Sequence, residues 1–170
     1  MTRILSFVAD VYEDLELWYP KIRLEEEGWE VAVAGPRAGH RYAGKHGYPC
    51  VADAAIAEMA SADFDALLLP GGFAPDRLRR DAQVLRLTRE FNEQGKPIAF
   101  ICHAGWICIS ADILRGRRAT STAGIRDDMR NAGALWVDEP LVVDGNLISS
   151  RTPMDLPVFA RALVERLQEG

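Results

Sequence analysis

Cys102 and His103 stand side by side at the end of an apolar run, Pro97-Ile98-Ala99-Phe100-Ile101, and are followed by Ala104 and Gly105. A thiol beside an imidazole lets sulfur act as a nucleophile, because the ring can take the thiol proton and return it. A strand ending at Cys102 and a helix beginning near Ala104 would set the sulfur on a sharp turn of the nucleophile-elbow kind. The positive end of that helix favours the thiolate, so the spacing predicts a Cys102 pKa below the ordinary thiol value. A second apolar run, Phe64-Asp65-Ala66-Leu67-Leu68-Leu69, ends at Pro70-Gly71-Gly72. Glycines there allow close approach of backbone. The N–H groups of Gly72 and His103 are therefore expected to hold the oxyanion formed when sulfur attacks a carbonyl.

Other polar residues carry two readings each. Buried free cysteine is common, and Cys102 could be core; nothing in core packing asks for His103 beside it. Cys108, between Ile107 and Ile109, reads as core, and Cys50 after Pro49 as structural. Glu13 is either a solvated acid in the first turn of a helix or a group that shares a proton with Cys102. Asp76 is either a helix N-cap after Pro75 or a functional acid. His40, His46 and Lys45 fall in a polar loop and have no distinguishing chemistry.

The absences narrow the field. Three cysteines without a C-x-x-C pattern argue against zinc and against a disulfide framework. No G-x-x-x-x-G-K-[ST] occurs, no G-x-G-x-x-G follows the first strand, and no G-x-S-x-G occurs. Neither a metal nor a cofactor is expected. The 170 residues carry 20 Lys+Arg against 25 Asp+Glu, a net charge of −5, so no dense basic face for nucleic acid is expected. No apolar run is long enough for a membrane span, and the N-terminus does not read as a secretory signal. The expected location is cytoplasmic.

The elements that must position these residues follow from periodicity. Strands are predicted over 3–8, 30–34, 64–69, 97–101 and 117–121. Helices are predicted over 15–27, stopped by Gly28, and over 54–60, 76–95, 104–114, 125–131 and 157–168, the last capped by Asp155. Leu15, Trp18, Ile22 and Leu24 supply the apolar spacing of the first helix. Segments 135–138 and 141–148 read as strands, with Asp144-Gly145 as a hairpin turn. Residues 1–170 form one domain on this reading. It is an α/β sandwich with a mostly parallel sheet, helices on both faces and a small antiparallel hairpin.

Several stretches resemble the PfpI family of cysteine peptidase-like and deglycase-like proteins, within the class I glutamine amidotransferase-like superfamily. They include Tyr12-Glu13-Asp14-Leu15-Glu16-Leu17, Ala43-Gly44-Lys45-His46-Gly47-Tyr48, Leu69-Pro70-Gly71-Gly72-Phe73-Ala74-Pro75-Asp76 and Ile101-Cys102-His103. Gly124-Ile125-Arg126-Asp127-Asp128-Met129, Asn131-Ala132-Gly133, Trp136-Val137-Asp138, Val143-Asp144-Gly145-Asn146 and Ser149-Ser150-Arg151 extend the likeness along nearly the whole chain. The resemblance implies a flavodoxin-like three-layer sandwich with Cys102 as nucleophile. It implies His103 as paired base or acid and Glu13 hydrogen-bonded to the cysteine sulfur. It also implies self-association as a dimer or hexamer, in which an acid of a neighbouring subunit, here Asp76 in place of the usual Glu, completes the set. Ala104-Gly105 stands where relatives commonly have Gly-Pro, and Thr122-Ala123 where they often have Tyr-Pro.

The activity so implied is cysteine-dependent chemistry on small reactive carbonyls: glyoxalase III-type conversion of methylglyoxal to lactate, or protein deglycation. An intracellular cysteine peptidase is the alternative enzyme. A non-catalytic oxidative-stress sensor or chaperone using the same cysteine is the alternative of another class.

Overall fold

The computed structural model describes residues 1–170. In chain order the elements are β1 (Arg3–Phe7), α1 (Asp14–Glu26), β2 (Glu30–Gly35), β3 (Arg41–Ala43), β4 (Pro49–Val51), β5 (Ala54–Ala55), β6 (Ala66–Leu69), α2 (Ala74–Leu78) and α3 (Ala82–Glu93). Then follow β7 (Ile98–Ile101), α4 (Gly105–Ser110), β8 (Arg118–Ala119), α5 (Arg126–Asn131), β9 (Leu135–Trp136), β10 (Val142–Asp144), β11 (Leu147–Ser150) and α6 (Leu156–Glu169). Seven strands form one sheet in the order β10-β11-β7-β6-β1-β2-β5. All neighbours pair parallel except β10 and β11, the hairpin turning at Asp144-Gly145.

The central strands are buried on both sides, so their side chains alternate between two cores. Leu5, Phe7, Leu67, Leu69, Ile98 and Phe100 share one core with Val84, Leu87 and Phe91 of α3 and Ile107 of α4. Ile4, Ala66, Leu68, Ala99 and Ile101 share the other with Leu24 of α1 and Phe159 and Leu163 of α6, and Cys102 lies in that second core. Helices thus cover both faces.

Local structure departs from the sequence expectation in instructive places. Residues 54–60 are not a helix. Ala54 and Ala55 pair with Ala34 and Gly35 as an edge strand, and a single 3-10 turn follows. The pairing partner overrides the local helical preference of alanine. The helix expected over 76–95 is two helices. Asp81 breaks the run by accepting a hydrogen bond from the Gln83 amide at 2.8 Å, capping α3. Asp76 is therefore inside α2, with Pro75 in the first turn, and is not an N-cap. Asp155 does not cap α6 through its side chain; its carboxylate takes the amide and guanidinium of Arg151. The polar loop after β2 contains the β3–β4 hairpin.

The first helix turns its other face inward. Leu15 and Ile22 are 57% and 58% exposed, while Asp14, Glu16, Leu17, Pro20 and Leu24 are buried. A carboxylate-bearing stripe is the buried one, which places a polar residue against the site. Leu24→Ala is expected to cost about 2–5 kcal/mol by urea unfolding, whereas Ile22→Ala on the open face costs under about 0.5 kcal/mol. The reverse ranking would show that α1 is rotated from this arrangement.

Candidate active site

The parallel strands β1, β6 and β7 end together, and the loops that follow them converge, as open α/β sheets require of a ligand site. At the end of β7 the backbone turns sharply. Cys102 has φ +61°, in the left-handed region, and residues 102–104 make one 3-10 turn before α4. That conformation costs a non-glycine residue roughly 1–2 kcal/mol. It lifts Sγ out of line with the strand. The cysteine is 8% exposed.

Three groups surround the sulfur. His103 Nδ1 lies 3.3 Å from Sγ. The imidazole is flanked by the rings of Phe73 and Trp106, with centroids 6.1 and 5.1 Å away. Trp106 is itself held by a 3.0 Å hydrogen bond from Nε1 to Asp128 Oδ2. Burial, and then the charge of Lys45, hold the imidazole pKa below its ordinary value, so the ring is neutral at pH 7 and able to accept a proton. The backbone N–H groups of His103 and Gly72 lie near enough to the sulfur to draw its pKa down. They are the two amides that the sequence had marked for an oxyanion.

The third group is Glu16. Sequence reasoning placed Glu13 against the thiol; the carboxyl beside Cys102 belongs to Glu16. The reason is helical geometry. Glu13 is the N-cap of α1, and its Oε2 turns back to accept the Glu16 amide at 3.0 Å. Glu16, one turn on, points into the core and is fully buried. Gly71 lies between Glu16 and Cys102. A Cβ there would stand 2.7 Å from Glu16 Oε1 and 2.9 Å from Cys102 Cβ, so only glycine leaves room.

Both oxygens of Glu16 lack a well-formed hydrogen bond. Burial first, and the charge of Glu13 second, raise its pKa well above the carboxylate range; Lys45, the thiol and the Gly71 amide oppose this. Burial, then Glu16, likewise push the Cys102 thiol up to about 12, against the pull of the two amides and Lys45. This overturns the expectation of a depressed thiol pKa. The helix after Cys102 is short, and desolvation outweighs its partial charge. Two negative charges are not tolerated side by side. The pair titrates as a unit and keeps one proton well above the ordinary carboxylate range.

The segment after β1 ties these parts together. Tyr12 bridges Gly44 on one side and Gly72 on the other. Lys45 donates its amide to the Tyr12 carbonyl at 2.8 Å, and Glu13 donates its own to the Gly71 carbonyl at 3.1 Å. Asp14 accepts the amides of His46 and Tyr48 at 3.0 and 2.9 Å, fixing the 44–48 loop over the site. Burial raises the Asp14 pKa, but those amides outweigh it and hold the carboxyl below its usual range. His46 Nε2 stands 3.7 Å from Glu13 Oε1. Asp76 lies outside this cluster and pairs with Arg80 at 2.9 Å. Cys108 is fully buried in α4, and Cys50 is the buried middle residue of β4.

Sequence reasoning therefore missed Glu16, Lys45 and Asp14. A signal for the first existed: Glu16 and Leu17 stand four and three residues before Pro20, on the stripe that Leu24 continues inward. No three His, Cys, Asp or Glu side chains converge as metal ligands would, and no helix is long and apolar enough to cross a membrane.

An elbow cysteine paired with histidine at the strand ends of a three-layer sandwich defines a class. The chain belongs to the DJ-1/PfpI family, whose model matches residues 2–166. A Pyrococcus abyssi protein named as a deglycase is 50% identical over 98% of this chain and 99% of its own. The Pyrococcus furiosus protein named deglycase PfpI is 48% identical over the same shares. Among solved structures, Drosophila melanogaster DJ-1beta superposes with a TM-score of 0.92 at 29% identity, covering 98% of this chain and 90% of that one. An Anabaena variabilis protein with DJ-1/ThiJ/PfpI-like and ferritin-like domains gives 0.97 at 42% identity; this chain spans 99% of itself and 48% of that longer one. The fold is the flavodoxin-like sandwich of these proteins.

Glu16 supplies a stability test with a definite sign. Its folded pKa is raised, so the protein loses stability as pH rises from the ordinary carboxylate range toward that folded value. Glu16→Gln removes the titration. The variant's stability relative to wild type is expected to climb as pH rises above the ordinary carboxylate range in urea unfolding. A difference that stays flat with pH would mean that Glu16 is not buried as a protonated acid.

Proposed function

We propose that this chain is a cysteine-dependent enzyme acting on small reactive carbonyls, of the deglycase or glyoxalase III type. One observation carries it: Cys102 Sγ, at a left-handed turn, lies 3.3 Å from a neutral His103 and near two backbone amides. The relatives named as deglycases, about half identical over nearly all of both chains, support the same reading.

With methylglyoxal, Sγ adds to the aldehyde carbon. The thiol proton passes to His103 Nδ1, the S–C bond forms, and the C=O pair becomes an alkoxide toward the Gly72 and His103 amides. The hydrogen on that carbon leaves as a proton and another is placed on the neighbouring carbon, giving a lactoyl thioester. Glu16, with its held proton, and His103 are the groups able to move these protons. Water then cleaves the S–C bond to release lactate and the thiol. One carbon is oxidised and its neighbour reduced, so no external oxidant is needed. With an early glycation adduct, the amine is displaced as sulfur adds and leaves with a proton. A cysteine only 8% exposed favours such small groups over an extended peptide.

In this scheme copies of the chain associate, and Asp76 of one approaches His103 of another. Two features support that arrangement. Asp76 sits on the surface tied only to Arg80, just past the end of its own helix, and His103 Nε2 makes no hydrogen bond within its chain. A cytoplasmic, reducing compartment would keep Cys102 a thiol.

Lactate formation from methylglyoxal, and amine release from its adduct with an N-acetylated amino acid, test the activity. Cys102→Ala is expected to be slower by at least roughly 100-fold in both. Equal rates would sink the proposal, and peptide hydrolysis without carbonyl turnover would favour the peptidase. For the assembly, light scattering is expected to give at least twice the chain mass; a monomer at working concentration overturns it.

A further inference from the structure

The chain has three lysines, and two are committed. Lys21 pairs with Glu25, and Lys96 Nζ donates to the Ser61 carbonyl at 2.8 Å. Lys45 Nζ makes neither an ion pair nor a hydrogen bond, although its backbone is among the most firmly held in the loop. Its own amide is bonded to Tyr12, and the residues on either side are fixed, Gly44 by the Tyr48 carbonyl and His46 by Asp14. A Cβ on Gly44 would collide with the Asp14 carboxylate, so the loop and the acid fit only in this register. The charge of Lys45 is felt at Cys102, at Glu16 and at His103 alike. The acids beneath do not pair with it: Glu13 accepts the Glu16 amide and stands 3.7 Å from His46, and Glu16, fully buried, forms no ion pair. An unpaired cation whose backbone is fixed beside a nucleophile is an arrangement that waits for an anion.

We propose that Lys45 is an anion-binding residue of this site, receiving the carboxylate of a carbonyl substrate that also bears a negative charge, and that Asp14 is the positioning residue that holds it there. The substrate class is aldehydes and 2-oxo compounds carrying a carboxylate, of which glyoxylate is the smallest. This deepens the carbonyl-enzyme reading of Cys102 and rests on it for turnover, but the binding itself does not.

Two alkylating reagents of nearly equal size separate charge recognition from catalysis. Iodoacetate is anionic and iodoacetamide neutral; each forms an S–C bond at Cys102, expels iodide and leaves the thiol proton to solvent. The iodoacetate-to-iodoacetamide rate ratio at Cys102, followed by peptide mass spectrometry on the full chain, is expected to fall roughly three- to tenfold in Lys45→Gln and to hold in Lys45→Arg. Asp14→Asn is expected to lower the ratio in part, and Lys21→Gln to leave it alone. A general disturbance of the site would slow both reagents together and leave the ratio unchanged. Glyoxylate, adding reversibly to the thiol, is expected to protect Cys102 from iodoacetamide at lower concentration than neutral glycolaldehyde does, and Lys45→Gln to erase that preference.

A ratio equal in wild type and Lys45→Gln overturns the proposal, whatever the enzyme turns over. A ratio that depends on Lys45 in a protein that turns over no carbonyl leaves the anion site standing and removes the proposed activity.

Discussion

A carboxyl and a thiol buried side by side can carry only one negative charge between them. Glu16 and Cys102 meet that condition, and the surrounding structure is built to permit it. Their burial comes from α1 and α6 closing one face of the sheet. Their contact comes from Gly71, which leaves no side chain between them. The Gly72 and His103 amides favour charge on the sulfur, the Gly71 amide and the thiol favour it on the carboxyl, and burial opposes both. The resting protein therefore keeps the sulfur as a buried thiol, and its proton has to move when a substrate arrives.

The second requirement is mechanical. Residues far apart in the chain must stay in register around one sulfur, and the short segment from Val11 to Asp14 does this work. Val11 adopts φ +65°, which a β-branched residue rarely does. Its carbonyl accepts the Phe73 amide and its amide donates to the Ala43 carbonyl, both at 2.8 Å. Such strain costs on the order of 1–3 kcal/mol and persists only where neighbours over-determine it. Here the β3 side and the glycine turn after β6 hold it from both directions. Val11 and Cys102 are two of only three non-glycine residues with positive φ, and both belong to the site.

Much of the sheet was legible because its strands are buried on both faces and read as unbroken apolar runs, such as Ile98 to Ile101. The hairpin at Asp144-Gly145 was legible from turn chemistry. Cys102, His103 and Gly72 could be marked because each follows a strand, and strand ends converge in this architecture. Glu16 could not be separated from Glu13 in the same way. Both lie in an acid-rich stretch, and the choice depends on which face of α1 turns inward. Leu15 and Ile22 advertise the wrong face, since apolar residues on the surface are as common as they are uninformative singly. Lys45 and Asp14 were silent because their roles arise from the loop docking onto Tyr12, a contact between distant segments that local pattern does not encode. The helix break at Asp81 was hidden by a periodicity that runs through it.

The sheet order has a kinetic corollary. The site draws on loops after β1, β3, β6 and β7, and β1 lies between β2 and β6, so its partners are synthesised after it. During translation the acid-bearing helix emerges long before the cysteine, and Glu16 has nothing to face until the ribosome has released β7. Long-range parallel pairing of this kind is intrinsically slow. Meanwhile the sulfur of an incomplete chain is without its amides and its acid, so the nascent protein carries an ordinary cysteine and gains its distinctive one only as the last central strand docks.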